Sequence, residues 1–297
     1  VGNTIIIRHI LCTEDLYGGT VRMFESIGEK RGVTFSYVDT SDIELVRKSI
    51  RKETKALYIE TPSNPTMKVT DFAAMREIAD EYGLLIIADN TFLTPYFQKP
   101  LTLGADLVVH SGTKFLGGHN DVLAGFVCIK GKGLSEKLRY TYKTVGCCLP
   151  PFDSFLVLRG IKTLSVRLER QQENAKKIAL WLKDRPEVKA VYYTGLPEHP
   201  GYEINQKQAS GCGSMISFKV DSEKRARKLL ESVKLISYAE SLGGVESLIT
   251  YPMLQTHGDV PVETRERLGI TEDFLRMSVG IENAEDLIAD LEQALAE

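Results

Sequence analysis

Neither sign of charge dominates this 297-residue chain: 37 lysines and arginines face 40 aspartates and glutamates, a formal net charge of −3. That balance excludes the basic field that nucleic acid binding needs. No apolar run approaches the roughly 20 residues that span a bilayer, and the first residues lack the charge and cleavage pattern of a secretory leader. Cytoplasmic location is the default expectation. Cysteine is scarce and unpatterned: Cys12, Cys128, Cys147, Cys148 and Cys212 make an odd count with no C-x-x-C spacing, which argues against a disulfide framework or a zinc site and for reduced thiols. His9, His110, His119, His199 and His257 form no ligand-spaced pair, so no metal site is expected. Internal repeats and low-complexity tracts are absent too.

What is present is an alternation of short apolar runs and helical patterns. Strand-like runs near 4–7, 33–38, 55–60, 84–88, 106–109 and 124–129 are separated by helical patterns near 19–30, 42–51 and 71–82, the last with Asp71 as N-cap and Gly83 as stop. This rhythm predicts a mainly parallel sheet with helices on both faces. After Leu149-Pro150-Pro151 a helical pattern runs from Asp153 to Lys183 with no internal proline. Beyond Pro186, Val188–Tyr193 and Ser214–Val220 read as strands, and Lys224–Val233 and Asn283–Ala296 as helices. Residues 1–152 are therefore read as an α/β domain, and 153–297 as a linking helix with a smaller α+β domain. The charged run Glu223–Lys228 is most simply a solvated helix face.

The most informative stretch is 106–119, DLVVHSGTKFLGGH. Its strand-like run ends in a small polar turn carrying Lys114. Desolvation at such a place lowers a lysine's pKa and frees the amine as a nucleophile for Schiff-base chemistry. Ser111 and Thr113 flank it with hydroxyls, so one turn can serve both the aldehyde and the phosphate of pyridoxal phosphate. Upstream, the apolar run Leu84–Ala88 ends in Asp89-Asn90-Thr91. A carboxylate at the carboxyl end of a buried parallel strand lies where open α/β sheets place ligands, and it can keep a pyridine nitrogen protonated. In isolation Lys114 is more simply a snorkelling loop lysine and Asp89 an even choice between cap and ligand. Together they reverse those odds.

Asp106-Leu107, Ser111 to Leu116 and Gly118-His119-Asn120 resemble the lysine signature of the Cys/Met-metabolism family of pyridoxal-phosphate enzymes, which includes cystathionine γ-synthase, cystathionine lyases, methionine γ-lyase and O-acylhomoserine sulfhydrylases. Supporting motifs run along the chain: Leu16–Thr20, Glu60–Pro65, Ala88–Phe92, Glu240–Gly244, Thr256-His257 and Leu275–Gly280. The resemblance implies an α/β, type I pyridoxal-phosphate transferase fold, aspartate aminotransferase-like. It implies that Lys114 holds the cofactor and later moves protons, that Asp89 pairs with the pyridine nitrogen with Thr91 nearby, and that Ser111 and Thr113 hold phosphate. Tyr17 would stack on the ring and take part in proton transfer. Asn64 would reach the cofactor or the substrate carboxylate, Arg276 would bind that carboxylate as a fork, and Ser241 and Glu240 would line the substrate side. The family's arm before the Tyr17 motif, with its Tyr-x-Arg element, is not in the sequence. A weaker phosphate grip is the expectation.

The activity so implied is trans-sulfuration: γ-replacement or elimination on an O-acylhomoserine or on cystathionine, in a homo-oligomer, dimer or tetramer, with an amino-acid substrate and no nucleic acid or membrane partner. Glu240 resembles the γ-synthase and γ-lyase members, and Thr250-Tyr251-Pro252 with Gly258–Pro261 resembles synthase-like sequences, which favours C–S bond formation. A β-, γ- or methionine γ-lyase, an aminotransferase using the same lysine, and an inactive fragment are the alternatives.

Overall fold

A computed structural model describes residues 8–256, 258, 260 and 262–296. The strand expected over 4–7 lies outside them, as do His257, Asp259 and Pro261. The chain builds two sheets. The first draws on β1 (His9–Thr13), α1 (Gly18–Met23), β2 (Thr34–Val38), α2 (Ile43–Ser49), β3 (Thr54–Glu60), α3 (Phe72–Tyr82), β4 (Leu85–Asp89), α4 (Thr94–Phe97), β5 (Leu107–Ser111), β6 (Gly125–Ile129) and α5 (Lys132–Val145). Its order is β2-β1-β3-β4-β5-β6, parallel throughout except for β6, which runs antiparallel to β5 at the edge.

Period-two side-chain alternation explains why this sheet is covered on both faces. Leu11, Leu57, Ile59, Ile86 and Val108 point one way, into a cluster closed by Val46 of α2 and Phe72, Met75 and Ile78 of α3. Their neighbours Ile10, Cys12, Ala56 and Tyr58 point the other way, against Leu16 and Phe24. Helix α3 begins and ends as its sequence signals require: Asp71 accepts from the amides of Ala73 and Ala74, and Gly83 takes the left-handed conformation at φ 66°.

The remainder comprises α6 (Pro151–Ile161), α7 (Leu164–Lys183), β7 (Val188–Tyr192), α8 (Tyr202–Gln208), β8 (Met215–Val220), α9 (Glu223–Ser232), β9 (Ser237–Tyr238), β10 (Leu248–Thr250), α10 (Val262–Leu268), β11 (Phe274–Ser278) and α11 (Ala284–Ala296). The second sheet has the order β7-β8-β11-β10-β9, antiparallel except for β10 with β9. Its core joins Ile216, Phe218, Leu275 and Met277 to Ile178 and Leu182 of α7, Leu229 of α9 and Leu287 and Leu291 of α11.

One expectation needs correcting. The helix read as continuous from Asp153 to Lys183 is two helices, broken at Lys162-Thr163. Arg167 holds the break: its guanidinium donates to the Gly160 carbonyl at 3.0 Å and to Thr163 Oγ1 at 3.1 Å, and so satisfies groups that a helix end leaves open. No proline marks the place. Helix α5 and strands β9, β10 and β11 are additions to the elements expected from the sequence. The segment around Tyr140, Tyr142 and Val145 is exposed.

Candidate active site

Strands β3, β4 and β5 end side by side, and their carboxyl ends carry the chemistry. Strand β5 stops at Ser111 and enters a tight turn over Gly112–Leu116, inside which Lys114 alone leaves helical geometry (φ −89°, ψ −128°). Gly112 permits this because a Cβ there would lie 2.9 Å from that of Ala124 and against the Phe126 ring. Phe115 and Leu116 anchor the turn in an apolar cluster with Phe92, Leu93, Leu164, Leu168 and Leu242. The second part of the chain presses on it from above. Gly243 (φ 79°) packs so closely that a Cβ would sit 2.6 Å from the Phe115 amide nitrogen.

The half-buried Lys114 donates from Nζ to Ser241 Oγ at 2.8 Å. Desolvation, and then the nearby Arg276 charge, lower its pKa from the ordinary lysine value, while Glu240 opposes them. Ser241 sits at φ 89°, rare for a residue with a side chain, so the loop holds backbone strain at the point of contact. Arg276, in β11, is 2 % exposed. Nη1 donates to Asn64 Oδ1 at 2.8 Å, and Nη2 to the Ser241 carbonyl at 3.0 Å and to Thr250 Oγ1 at 3.2 Å. Its Nε is buried with no partner among the described residues. Burial brings the Arg276 pKa down to about 10, against the pull of Glu240 and Glu60. The turn bearing Asn64 is itself tied down, since Asp15 accepts from Ser63 Oγ at 2.7 Å, from the Thr66 amide at 3.0 Å and from Thr66 Oγ1.

A second chain of contacts starts at Asp89. Its Oδ1 accepts from the Thr91 amide at 3.0 Å and from Thr91 Oγ1 at 2.6 Å, while Oδ2 has no hydrogen-bond partner among the described residues. Burial raises the Asp89 pKa from the carboxylate value, and the Thr91 bonds partly offset it. Thr91 Oγ1 in turn accepts from the Ser111 amide at 2.9 Å, and this links β4 to the lysine turn.

The sequence-derived residues therefore fall into two connected sets, Lys114–Ser241–Arg276–Asn64 and Asp89–Thr91–Ser111. The Thr113 hydroxyl accepts from the Ala124 amide at 3.0 Å and donates to the Ala124 carbonyl at 3.4 Å, and so braces the turn. The Tyr17 ring is half exposed and folds over Gly19. Glu240 is exposed, facing Lys114 and Arg276.

Glu60 was missed as a site residue. It ends β3 as the register partner of Asp89, is buried, and accepts from the Tyr17 amide at 3.0 Å. Burial, then Asp89, push its carboxyl well above the ordinary value, with Asp15 adding and Arg276 opposing. Its presence in the Glu60–Pro65 motif was the signal. A groove of about 870 Å³ lined by Tyr96, Glu169, Tyr193 and Cys212 contains none of these groups.

A pyridoxal-type group fits what is present. It needs a depressed amine, an anion for its ring nitrogen and donors for a phosphate; Lys114 answers the first, and Asp89 Oδ2 and the Ser111 hydroxyl, which have no hydrogen-bond partner among the described residues, answer the others. Fold and site together define a lysine-based cofactor enzyme of the open α/β type. Comparison narrows this: the model of the Cys/Met metabolism PLP-dependent enzymes matches residues 7–296, and the chain belongs to that family. It is 51 % identical over 287 residues to a cystathionine γ-lyase of Bacillus subtilis, covering 97 % of this chain and 76 % of that protein. It is 47 % identical over 288 residues to a cystathionine γ-synthase/O-acetylhomoserine (thiol)-lyase of the same organism, covering 97 % and 73 %. A crystal structure of cystathionine γ-lyase from Lactobacillus plantarum complexed with L-serine superposes with a TM-score of 0.95 at 44 % identity, covering 98 % of this chain and 76 % of that one. The protein is thus a PLP-dependent enzyme. Among the described residues no helix is long and apolar enough to cross a membrane, and no group of His, Cys, Asp and Glu is arranged to hold a metal ion.

Proposed function

We propose that the chain catalyses trans-sulfuration, breaking a C–S bond in a cystathionine-type amino acid and working in a homo-oligomer. The observation that carries this reading is the contact of Lys114 with Ser241 beside Arg276, a nucleophilic amine within one loop of a buried carboxylate receptor. The cofactor, when bound, supplies an electron sink that acidifies the substrate's Cα–H. The rest falls to the protein. Lys114 would hold the cofactor, and its lowered pKa suits it to take the Cα proton and carry it along the chain towards the leaving sulfur. Ser241 Oγ, 2.8 Å away, would hold the amine in line. Arg276 would orient the substrate carboxylate. Its guanidinium is held in place by Asn64, Ser241 and Thr250, which favours a fixed angle of approach over a free fork. Asp89 would take the ring nitrogen on Oδ2, and Ser111 the phosphate. Glu240, at the rim and facing both cations, suits the ammonium of the distal half of a long diamino-acid substrate.

Cleavage stands first because of the 51 % identity to a protein named γ-lyase. Replacement on an O-acylhomoserine is the second reading, favoured by Glu240 and by the 47 % identity to the γ-synthase/thiol-lyase. Incubation with pyridoxal phosphate and cystathionine separates the outcomes. γ-Cleavage releases cysteine, ammonia and 2-oxobutanoate, β-cleavage releases homocysteine, ammonia and pyruvate, and replacement shows only with O-acetylhomoserine plus a thiol. Formation of a keto acid with no thiol released would make the protein an aminotransferase instead. Borohydride reduction of the loaded protein should label Lys114; label on another lysine sinks the site assignment.

A further inference from the structure

Two of the five cysteines adjoin, and the reaction uses neither. Cys147 and Cys148 follow directly on Gly146, which closes α5 in the left-handed conformation at φ 75°, and precede α6 by Leu149 and Pro150. Both are exposed. The Cys148 amide donates back to the Gly146 carbonyl at 2.8 Å, a tight turn with Cys147 at its centre. Tyr142, in the last turn of α5, has its phenol raised first by Cys148, with Cys147 adding to the effect.

We propose that Cys147 and Cys148 form a dithiol site for trivalent arsenicals. Bond lengths decide between this chelate and a disulfide. Adjacent α-carbons across a trans peptide are about 3.8 Å apart, less than the roughly 4.4–6.8 Å that disulfides usually span, so a direct S–S bond between neighbours is strained. The peptide joining these two is trans. One bridging atom lengthens the ring and relieves the strain. A tetrahedral metal needs about four ligands, and no cluster of three or more His, Cys, Asp and Glu is arranged for one among the described residues. Trivalent arsenic asks for two thiols and keeps its third substituent. With phenylarsine oxide, two S–H bonds and the As–O bonds break, two As–S bonds form, and one water leaves. The phenyl group stays and arsenic remains trivalent, so no oxidant or reductant enters.

The test is a titration of the folded full chain with phenylarsine oxide, read by intact mass and by the count of reactive thiols. One arsenical per chain is expected, with two thiols lost together, release by a dithiol such as 2,3-dimercaptopropanol, and no release by the same thiol concentration of a monothiol. Cys147→Ser and Cys148→Ser should each weaken binding on the order of 100-fold. Cys128→Ser, which removes another exposed thiol, should leave it unchanged. Binding that survives Cys147→Ser, that depends on Cys128, or that monothiol reverses overturns the proposal. So does a folded chain that takes up no arsenical although the denatured chain does, because the pair is then covered.

Discussion

At the scale of single residues the site runs on desolvated charges held by neutral donors and acceptors. Arg276 shows this most plainly: its hydrogen-bond partners Asn64, Ser241 and Thr250 carry no charge, so no carboxylate among the described residues occupies its guanidinium, which stays available to an anion. Arg276→Lys keeps the charge but cannot reach three acceptors at once. A loss of about 1–3 kcal/mol in substrate or carboxylate-inhibitor affinity is expected, with cofactor affinity little changed. An equal fall in both affinities would make Arg276 a structural residue. Glu60 carries a different prediction. Its folded pKa is raised above the ordinary 4.5, so between that value and the folded pKa the native chain binds more protons than the unfolded one. Stability from this group is therefore full below pH 4.5 and falls as pH rises towards the folded pKa. Glu60→Gln, neutral at every pH, should flatten that part of the profile in denaturant melts taken from pH 5 to 9. An unchanged slope would show that Glu60 is ionised in the native protein.

Among elements, the decisive contact is that of α6 with the lysine turn. Gly160 lets them touch: a Cβ there would fall on the Gly117 carbonyl and 2.8 Å from that of Leu116. Gly160→Ala sets two effects against each other. Helix propensity alone would stabilise by about 1 kcal/mol. Overpacking against backbone that cannot swing aside costs roughly 1–3 kcal/mol, so a net loss of stability is expected, together with weaker loading of cofactor on Lys114. Thermal melts and a cofactor titration check both halves, and a more stable variant would mean that the turn yields freely.

For the whole molecule the question is what covers the outer face of α5 and α6. Tyr140, Val145, Phe152, Phe155 and Leu158 are all more than half exposed. Contiguous exposed apolar surface of this kind is what association sites are made of. Self-association through it is expected, and Phe155→Asp with Leu158→Glu should shift the species seen by sedimentation towards monomer. If the double variant and the parent sediment alike, assembly uses other surfaces.

Local chemistry made part of this protein legible without coordinates. Lys114, Ser111, Asp89 and Thr91 lie at strand ends whose apolar runs are continuous in the chain, and Asp71 and Gly83 bound α3 because capping acts within a few residues. Arg276, Ser241 and Asn64 were named through motif resemblance, but their mutual arrangement was beyond reach. Residues 212 and 127 positions apart meet only once the second sheet closes on the first. Nearer in the chain, Thr113 turns to Ala124, 11 residues on, and the 153–183 helix breaks through an arginine side chain in place of a proline, neither of which residue type announces. Glu60 is buried beside Asp89, its partner across β3 and β4, which are separated in the chain by α3. Side-chain periodicity and capping are encoded over a few residues. Burial, and with it the shifted pKa values on which the site depends, exists only where distant segments exclude water together.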